Sequence, residues 1–229
     1  MRKPTIAIDG PAGAGKTTVA RLVARRLGLL CVETGAMYRA IAWQARKLGI
    51  AADDAPTLAA MTADMDLRVE AAPDGGTRIL LSGCDITGNL RAPELEQLAS
   101  RISTHAEVRH TLVAQQRRLA QGGGVVMEGR DIQTVVLPDA KVKVFLTASL
   151  AERARRRMID LQAAGEHADL DEVRRQIEAR DRRDATRASS PLRPAPDAVT
   201  IDTDNFGIEE VVARMVALVE QPPGGAAER

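Results

Sequence analysis

Apolar residues follow two rhythms along this chain. Short, largely apolar runs recur at Thr5-Ile6-Ala7-Ile8, Leu29 to Val32, Val125 to Met127, Lys141 to Leu146 (apolar at Val142, Val144, Phe145 and Leu146) and Ala198 to Asp202. Runs of that length read as buried strands. Between them come stretches whose apolar positions fit helices: Val19 to Leu27, Ala40 to Leu48, Pro93 to Ile102, Ala106 to Gln121 and Ile208 to Val219. The last carries an Ile208, Val211-Val212, Met215-Val216, Val219 stripe. Gly49 stops the second helix and Thr34 is its expected cap, with Tyr38 and Arg39 just inside it. Five core strands interleaved with helices predict an α/β fold, a mostly parallel five-stranded sheet between helices.

Residues from about 51 to 92 break the alternation. Asp53-Asp54-Ala55-Pro56 opens a short helix ending near Met61, and Asp66–Val69 and Arg78–Leu81 read as strands around the turn Pro73-Asp74-Gly75-Gly76. Ser82 to Asp85 turns again. The prediction is a small antiparallel insertion. After the strand at 141–146, a helix capped by Thr147 or Ser149, a loop at 163–167 and a second helix from Leu170 to Arg183 follow. Residues 222–229 read as a disordered tail.

The first strand runs into Gly10-Pro11-Ala12-Gly13-Ala14-Gly15-Lys16-Thr17-Thr18, which satisfies G-x-x-x-x-G-K-[ST] at every fixed position. Glycines let backbone N–H groups turn inward around an anion, and the helix N-terminus adds more donors and a positive dipole end. Lys16 can reach the β- and γ-phosphates, and the Thr17 hydroxyl can ligate Mg²⁺. Strand before, helix after and the Lys-Thr pair agree, so ATP with Mg²⁺ is the expected cofactor.

Composition narrows the picture. Charge is balanced, 32 basic against 31 acidic residues, which disfavours a nucleic-acid coat. Only Lys3, Lys16, Lys47, Lys141 and Lys143 are lysines, so the positive charge is nearly all arginine, the residue for bidentate phosphate contacts. Cys31 and Cys84 are isolated, with no disulfide or zinc spacing, and Cys31 reads as a core residue. Neither a signal core nor a transmembrane run is seen, so a soluble cytoplasmic protein is expected.

Other candidates cluster at strand ends, where α/β sheets collect ligands. Tyr38 and Arg39 follow the second strand. Glu128-Gly129-Arg130-Asp131 ends the third, as a ligand group or as a salt bridge that orients a loop. The helices after 147 carry Arg153, Arg155, Arg156, Arg157, Arg174, Arg175, Arg180, Arg182 and Arg183. They form either a phosphate-covering lid or a solvated face paired with neighbouring acids. No Asn-Lys-x-Asp guanine reader exists, and Met127-Glu128 is the nearest approach to a motor ATPase strand end. Arginines at the carboxyl edge away from the Gly-rich loop point to a second anion beside the triphosphate. A nucleoside monophosphate suits: its phosphate is largely doubly ionised at neutral pH, so no general base is needed. His105, His110 and His167 show no catalytic arrangement.

These residues resemble the bacterial cytidylate kinases, a branch of the P-loop nucleoside monophosphate kinases, from Thr5 to about Glu220. The specific combination is Thr34-Gly35-Ala36-Met37-Tyr38-Arg39 with Gly129-Arg130-Asp131-Ile132; Ala99-Ser100, Val108-Arg109 and Arg180-Asp181-Arg182-Arg183-Asp184 with Thr186-Arg187 match too, beside the Gly-rich loop. The resemblance implies one P-loop kinase domain over 1–221, with an acceptor-binding insertion at about 62–92 and a helical lid at about 152–184. It implies transfer of the γ-phosphoryl group of ATP to CMP or dCMP. Ser100, Arg109 and Asp131 would read the cytosine ring; serine and arginine can donate, and aspartate accepts from the N4 amine. Arg39, Arg130 and Arg187 would hold the acceptor phosphate with Tyr38 beside it, and Thr34 and Asp184 would face the ribose. Arg153, Arg157 and Arg180 would close on the donor phosphates. The family usually has Asp at position 33, Gly at 133, Val-Ala at 189–190 and Pro-Ser-Gly at 11–13. Here stand Glu33, Gln133, Ser189-Ser190 and Pro11-Ala12-Gly13. The alternatives are a kinase for UMP or another small acceptor, a non-catalytic ATP-binding interaction module, and, disfavoured, a nucleic-acid binder. A monomer acting on small nucleotides, without nucleic acid or membrane, is expected.

Overall fold

The computed structural model describes residues 3–163 and 165–220; the tail at 222–229 lies outside them. The main sheet contains β1 (Thr5–Asp9), β2 (Leu30–Glu33), β6 (Val125–Gly129), β7 (Val142–Thr147) and β8 (Val199–Asp202). They lie in the order β2-β6-β1-β7-β8, every pair parallel. Unbroken apolar runs are what a sheet covered on both faces requires. Successive residues feed opposite cores. Ala7, Val32 and Met127 join Met37, Ile41, Leu58 and Leu112 on one side. Ile6, Ile8, Cys31 and Val126 join Val19, Val23, Val212 and Met215 on the other. The first core holds α2 (Thr34–Leu48), α3 (Ala55–Asp64), α4 (Pro93–Ile102) and α5 (Ala106–Ala120); the second holds α1 (Lys16–Leu27) and α8 (Ile208–Glu220).

The neighbours β1 and β7 send their connections opposite ways, β1 through α1 to β2 and β7 to β8. A crevice opens at such a reversal. Gly10 is required at its lip: a Cβ there would stand 2.0 Å from the Leu146 carbonyl oxygen. The lid follows β7 as α6 (Leu150–Ala163) and α7 (Leu170–Thr186), around a small core of Ala154, Val173 and Ile177.

The insertion is antiparallel as expected, with β3 (Leu67–Ala71) against β4 (Thr77–Leu81). It docks on the sheet through Thr77, whose hydroxyl donates to the Cys31 carbonyl and accepts from the Glu33 N–H, both at 3.0 Å. Its turn rests on α1, since a Cβ at Gly76 would meet Arg21 Nε at 3.0 Å.

Four local expectations change. Helix α2 begins at Thr34, well before Ala40, and Thr34 is not a cap: its hydroxyl donates to the Glu128 carbonyl at 2.8 Å. Cys84–Asp85, expected as a turn, forms a short strand, β5, on β4. A π-helical turn occupies Ile132–Val136, because Asp9 accepts the N–H groups of Ile132 at 3.0 Å and Gln133 at 2.8 Å. Helix α7 continues past Arg183 and so carries Asp184. Of the two proposed caps for α6, Ser149 Oγ accepts the Glu152 N–H at 3.2 Å.

Candidate active site

The Gly-rich loop joins β1 to α1 at the crevice. Gly13 takes φ +79°, where an L side chain is strained, and a Cβ there would touch Arg153 Cβ at 3.0 Å. Gly15 caps α1 without a side chain, so the helix offers its first N–H groups to the crevice. Lys16 is nearly buried and donates to the Pro11 carbonyl at 2.7 Å, holding its amine across the loop. Burial, helped by Arg130, pulls that amine down to about 7; Glu128 opposes the fall. Thr17 Oγ1 donates to Glu128 Oε1 at 3.0 Å. The two oxygen groups suit a hard cation such as Mg²⁺, which binds through one or two protein oxygens, phosphates and water. No cluster of three His, Cys, Asp or Glu that could hold a metal ion is found among the described residues.

Across the cleft, the expected acceptor residues come together. Arg109 is buried, forms an ion pair with Asp131, and donates to Tyr38 Oη at 3.2 Å and the Ser103 carbonyl at 3.4 Å. Arg187 approaches the other Asp131 oxygen at 3.7 Å and donates to the Ser190 carbonyl at 2.6 Å. Its Nη2 is buried without a hydrogen-bond partner. Burial and the neighbouring Arg109 pull the Arg187 guanidinium down, so this corner favours an added anion. Arg130 donates to Asp184 at 2.9 Å; burial opposes its charge, but Asp184 and Glu128 outweigh it. Arg39 and Ser100 line the same cleft, whose volume is about 1180 Å³. Thr34, Tyr38, Arg109, Arg130, Asp131, Asp184 and Arg187 line it too.

The lid arginines do not behave alike. Arg153 does not line the cleft. Its guanidinium donates to the Ala148 and Ala12 carbonyls, each at 3.0 Å, and to Asp181. Asp181 in turn accepts the Ala12 N–H at 3.3 Å. Arg153 therefore ties the lid to the Gly-rich loop. Arg157 and Arg180 do line the cleft, and both meet Glu96. Arg156, not singled out from sequence, also lines it. It is held by Thr203 Oγ1 at 2.9 Å, the Thr203 carbonyl at 2.8 Å and Glu152 Oε1 at 2.9 Å.

The family model for cytidylate kinase matches residues 6–221. This chain belongs to the cytidylate kinase family. A bifunctional pantoate ligase/cytidylate kinase of Synechococcus sp. (strain JA-3-3Ab) is 51% identical over 222 residues, covering 96% of this chain and 41% of that protein. The chain thus spans less than half the length of that relative. A cytidylate kinase of Desulfitobacterium hafniense (strain Y51) is 50% identical, covering 93% of this chain and 91% of the other. One of Pelotomaculum thermopropionicum is 49% identical, covering 94% and 96%. An uncharacterized protein of Eubacterium ventriosum ATCC 27560 shares the fold, with a TM-score of 0.53 at 13% identity over 95% of this chain and 98% of that one. Membership implies the ATP and Mg²⁺ use typical of nucleoside monophosphate kinases. No helix among the described residues is long and apolar enough to cross a membrane.

Against that family pattern, the departures are absorbed locally. Glu33 accepts from Arg21 Nε at 2.6 Å and points to the P-loop helix. Gln133 is buried, and its Oε1 accepts the Ala195 N–H at 3.2 Å, which ties down the proline-rich connector. Ser190 takes a left-handed φ of 54° while its carbonyl holds Arg187. Ala12 contributes backbone groups alone, to Asp181 and Arg153.

Proposed function

We propose that the protein transfers the γ-phosphoryl group of ATP to CMP or dCMP, giving ADP and CDP or dCDP. The observation that carries this reading is the opening of the Gly-rich loop and the Ser100–Arg109–Asp131 cluster into one cleft. Residues Gly10 to Thr18 would cradle the donor phosphates. Thr17, beside Glu128, would hold Mg²⁺, which when bound neutralises charge on the transferred group.

The other residues align and insulate. Arg39, Arg130 and Arg187 would hold the acceptor phosphate beside Tyr38, with Thr34 and Asp184 at the ribose. Asp131 can only accept, so it favours the cytosine N4 amine and opposes the carbonyl of uracil. Arg109, fixed by Asp131, is left to donate to ring acceptors with Ser100. The incoming phosphate is already largely a dianion, so no side chain need remove a proton. What remains is alignment, charge neutralisation and exclusion of water. Lys16 supplies charge near the transferred group, as do Arg157 and Arg180 through the N–H groups not bonded to Glu96, and Arg153 keeps the lid registered on the loop. Residues 1–221 act on this reading as one kinase domain, with the insertion at about 62–92 and the lid at about 152–184, in a cytoplasmic monomer.

The test is ADP release from MgATP with each of CMP, dCMP, UMP, AMP and GMP. Selective turnover of CMP and dCMP is expected. Equal use of UMP would overturn the base assignment and keep the kinase. ATP binding without any acceptor-dependent ADP would overturn the transfer itself.

A further inference from the structure

Helix α4 faces the lid with two residues one turn apart, Glu96 and Ser100. Glu96 receives one arginine from each lid helix. Arg157 of α6 donates to its Oε2 at 2.8 Å, and Arg180 of α7 pairs with its Oε1. Arg183, also on α7, reaches Ser100 Oγ through Nε and Nη2, each at 3.4 Å. Every donor in this set is on the lid, and both acceptors are on α4. The lid's other ties run elsewhere: Arg153 with Asp181 fastens its base to the Gly-rich loop, Arg156 is seated on Thr203, and Asp184 accepts from Arg130. Burial alone would raise the Glu96 carboxyl. Arg180 and Arg157, with Arg39 behind them, outweigh it and hold the group below its ordinary value.

A single carboxylate joined to two helices fixes their angle as well as their distance, which one ion pair between flexible side chains does not. The same helix carries Ser100, placed one turn on to touch the acceptor. We infer that Glu96 is the positioning residue that latches the lid onto the acceptor-binding helix, so that α4 couples acceptor seating to exclusion of water. The inference rests on the kinase reading and assigns Glu96 no contact with substrate. Its chemical consequence is specific: an unlatched lid admits water, which competes with the acceptor for the γ-phosphoryl group.

Glu96→Gln keeps the shape of the side chain and removes its charge, and a thermal melt checks that the variant is folded. The experiment measures total ADP and CDP from MgATP and CMP, for the native protein and the variant. The ratio of ADP formed without CDP to CDP should rise about tenfold, the factor expected when one charge-assisted contact is lost from the closed form only. Amide hydrogen exchange over Leu170–Thr186 should speed up by a similar factor while that of β1 and β6 stays unchanged. A purely structural role would lower both products together and leave their ratio alone, overturning the inference. Tighter MgATP binding with faster CDP formation would also overturn it, making Glu96 a competitor of the phosphates for Arg157 and Arg180. If the native protein makes no CDP, the substrate assignment falls, and exchange over α7 still decides the latch: an unchanged rate overturns it.

Discussion

Replacing Asp131 by Asn tests stability and specificity in one variant. The carboxylate sits between two guanidiniums, Arg109 and Arg187, and the three side chains are 8%, 3% and 5% exposed. Asn removes the only negative charge that, among the described residues, ion-pairs with both arginines. Breaking a buried pair from one side costs about 3–5 kcal/mol. Here Tyr38 Oη, Ser103 and Ser190 still accept from the two arginines, and the amide oxygen can accept one bond, so the low end applies. A loss of about 3 kcal/mol corresponds to a fall in Tm of roughly 6–12 °C in a chain of this size. The amide can also present its N–H₂ to the uracil carbonyl. A charged group left unmatched in one of two competing complexes is worth about 1.5–3 kcal/mol, so the CMP-over-UMP preference should shrink by about 10- to 150-fold. The assay is kcat/KM for CMP and UMP at saturating MgATP, with a melting curve. An unchanged preference in a destabilised enzyme would confine Asp131 to orienting Arg109 and Arg187. An unchanged Tm would refute the buried-charge argument.

Three further outcomes follow from other parts of the molecule. Lys16→Ala should lower kcat by about 10²-fold or more, because positive charge at the transferred group is removed, while Tm holds, since burial already disfavours that amine; native-like turnover would refute the role. Thr77→Val should cost roughly 1–3 kcal/mol by urea unfolding, because the buried Glu33 N–H loses its acceptor; an unchanged midpoint would show that the insertion is docked by other contacts. Asp9 is pushed up from 3.8 to about 7, chiefly by burial, against the two backbone N–H groups it accepts. Its folded form therefore holds a proton that the unfolded form releases near pH 4. The stabilisation is complete below that pH and is lost as pH rises through about 7, on the order of 4 kcal/mol in all. Urea unfolding between pH 4 and 8 should show this fall in the native protein and a flatter profile in Asp9→Asn; parallel profiles would refute it.

What could be read from the sequence divides along the distance over which each signal acts. The strands around Ile6 and Val126 were legible because a strand buried on both faces is a local apolar run. The Gly-rich loop was legible because strand, glycines, Lys16 and helix are contiguous. Helix α2 starts at Thr34 for a reason that is not local: the Thr34 hydroxyl is committed to Glu128, far along the chain. The π-helical turn after Asp131 is likewise set by Asp9 at the end of another strand. Charge is the sharpest case. Arg153, Arg156, Arg157 and Arg180 look equivalent as sequence, each an arginine on an Arg-rich helix. Their partners separate them. Arg153 turns inward to the Ala12 and Ala148 carbonyls, Arg156 is seated on Thr203, and Arg157 and Arg180 converge on Glu96. Glu96 itself resembles any solvated helix glutamate until the lid folds over it. A run of arginines thus marks where anions are held, but the carbonyls and carboxylates brought up by distant strands and helices decide which guanidinium is free to hold one.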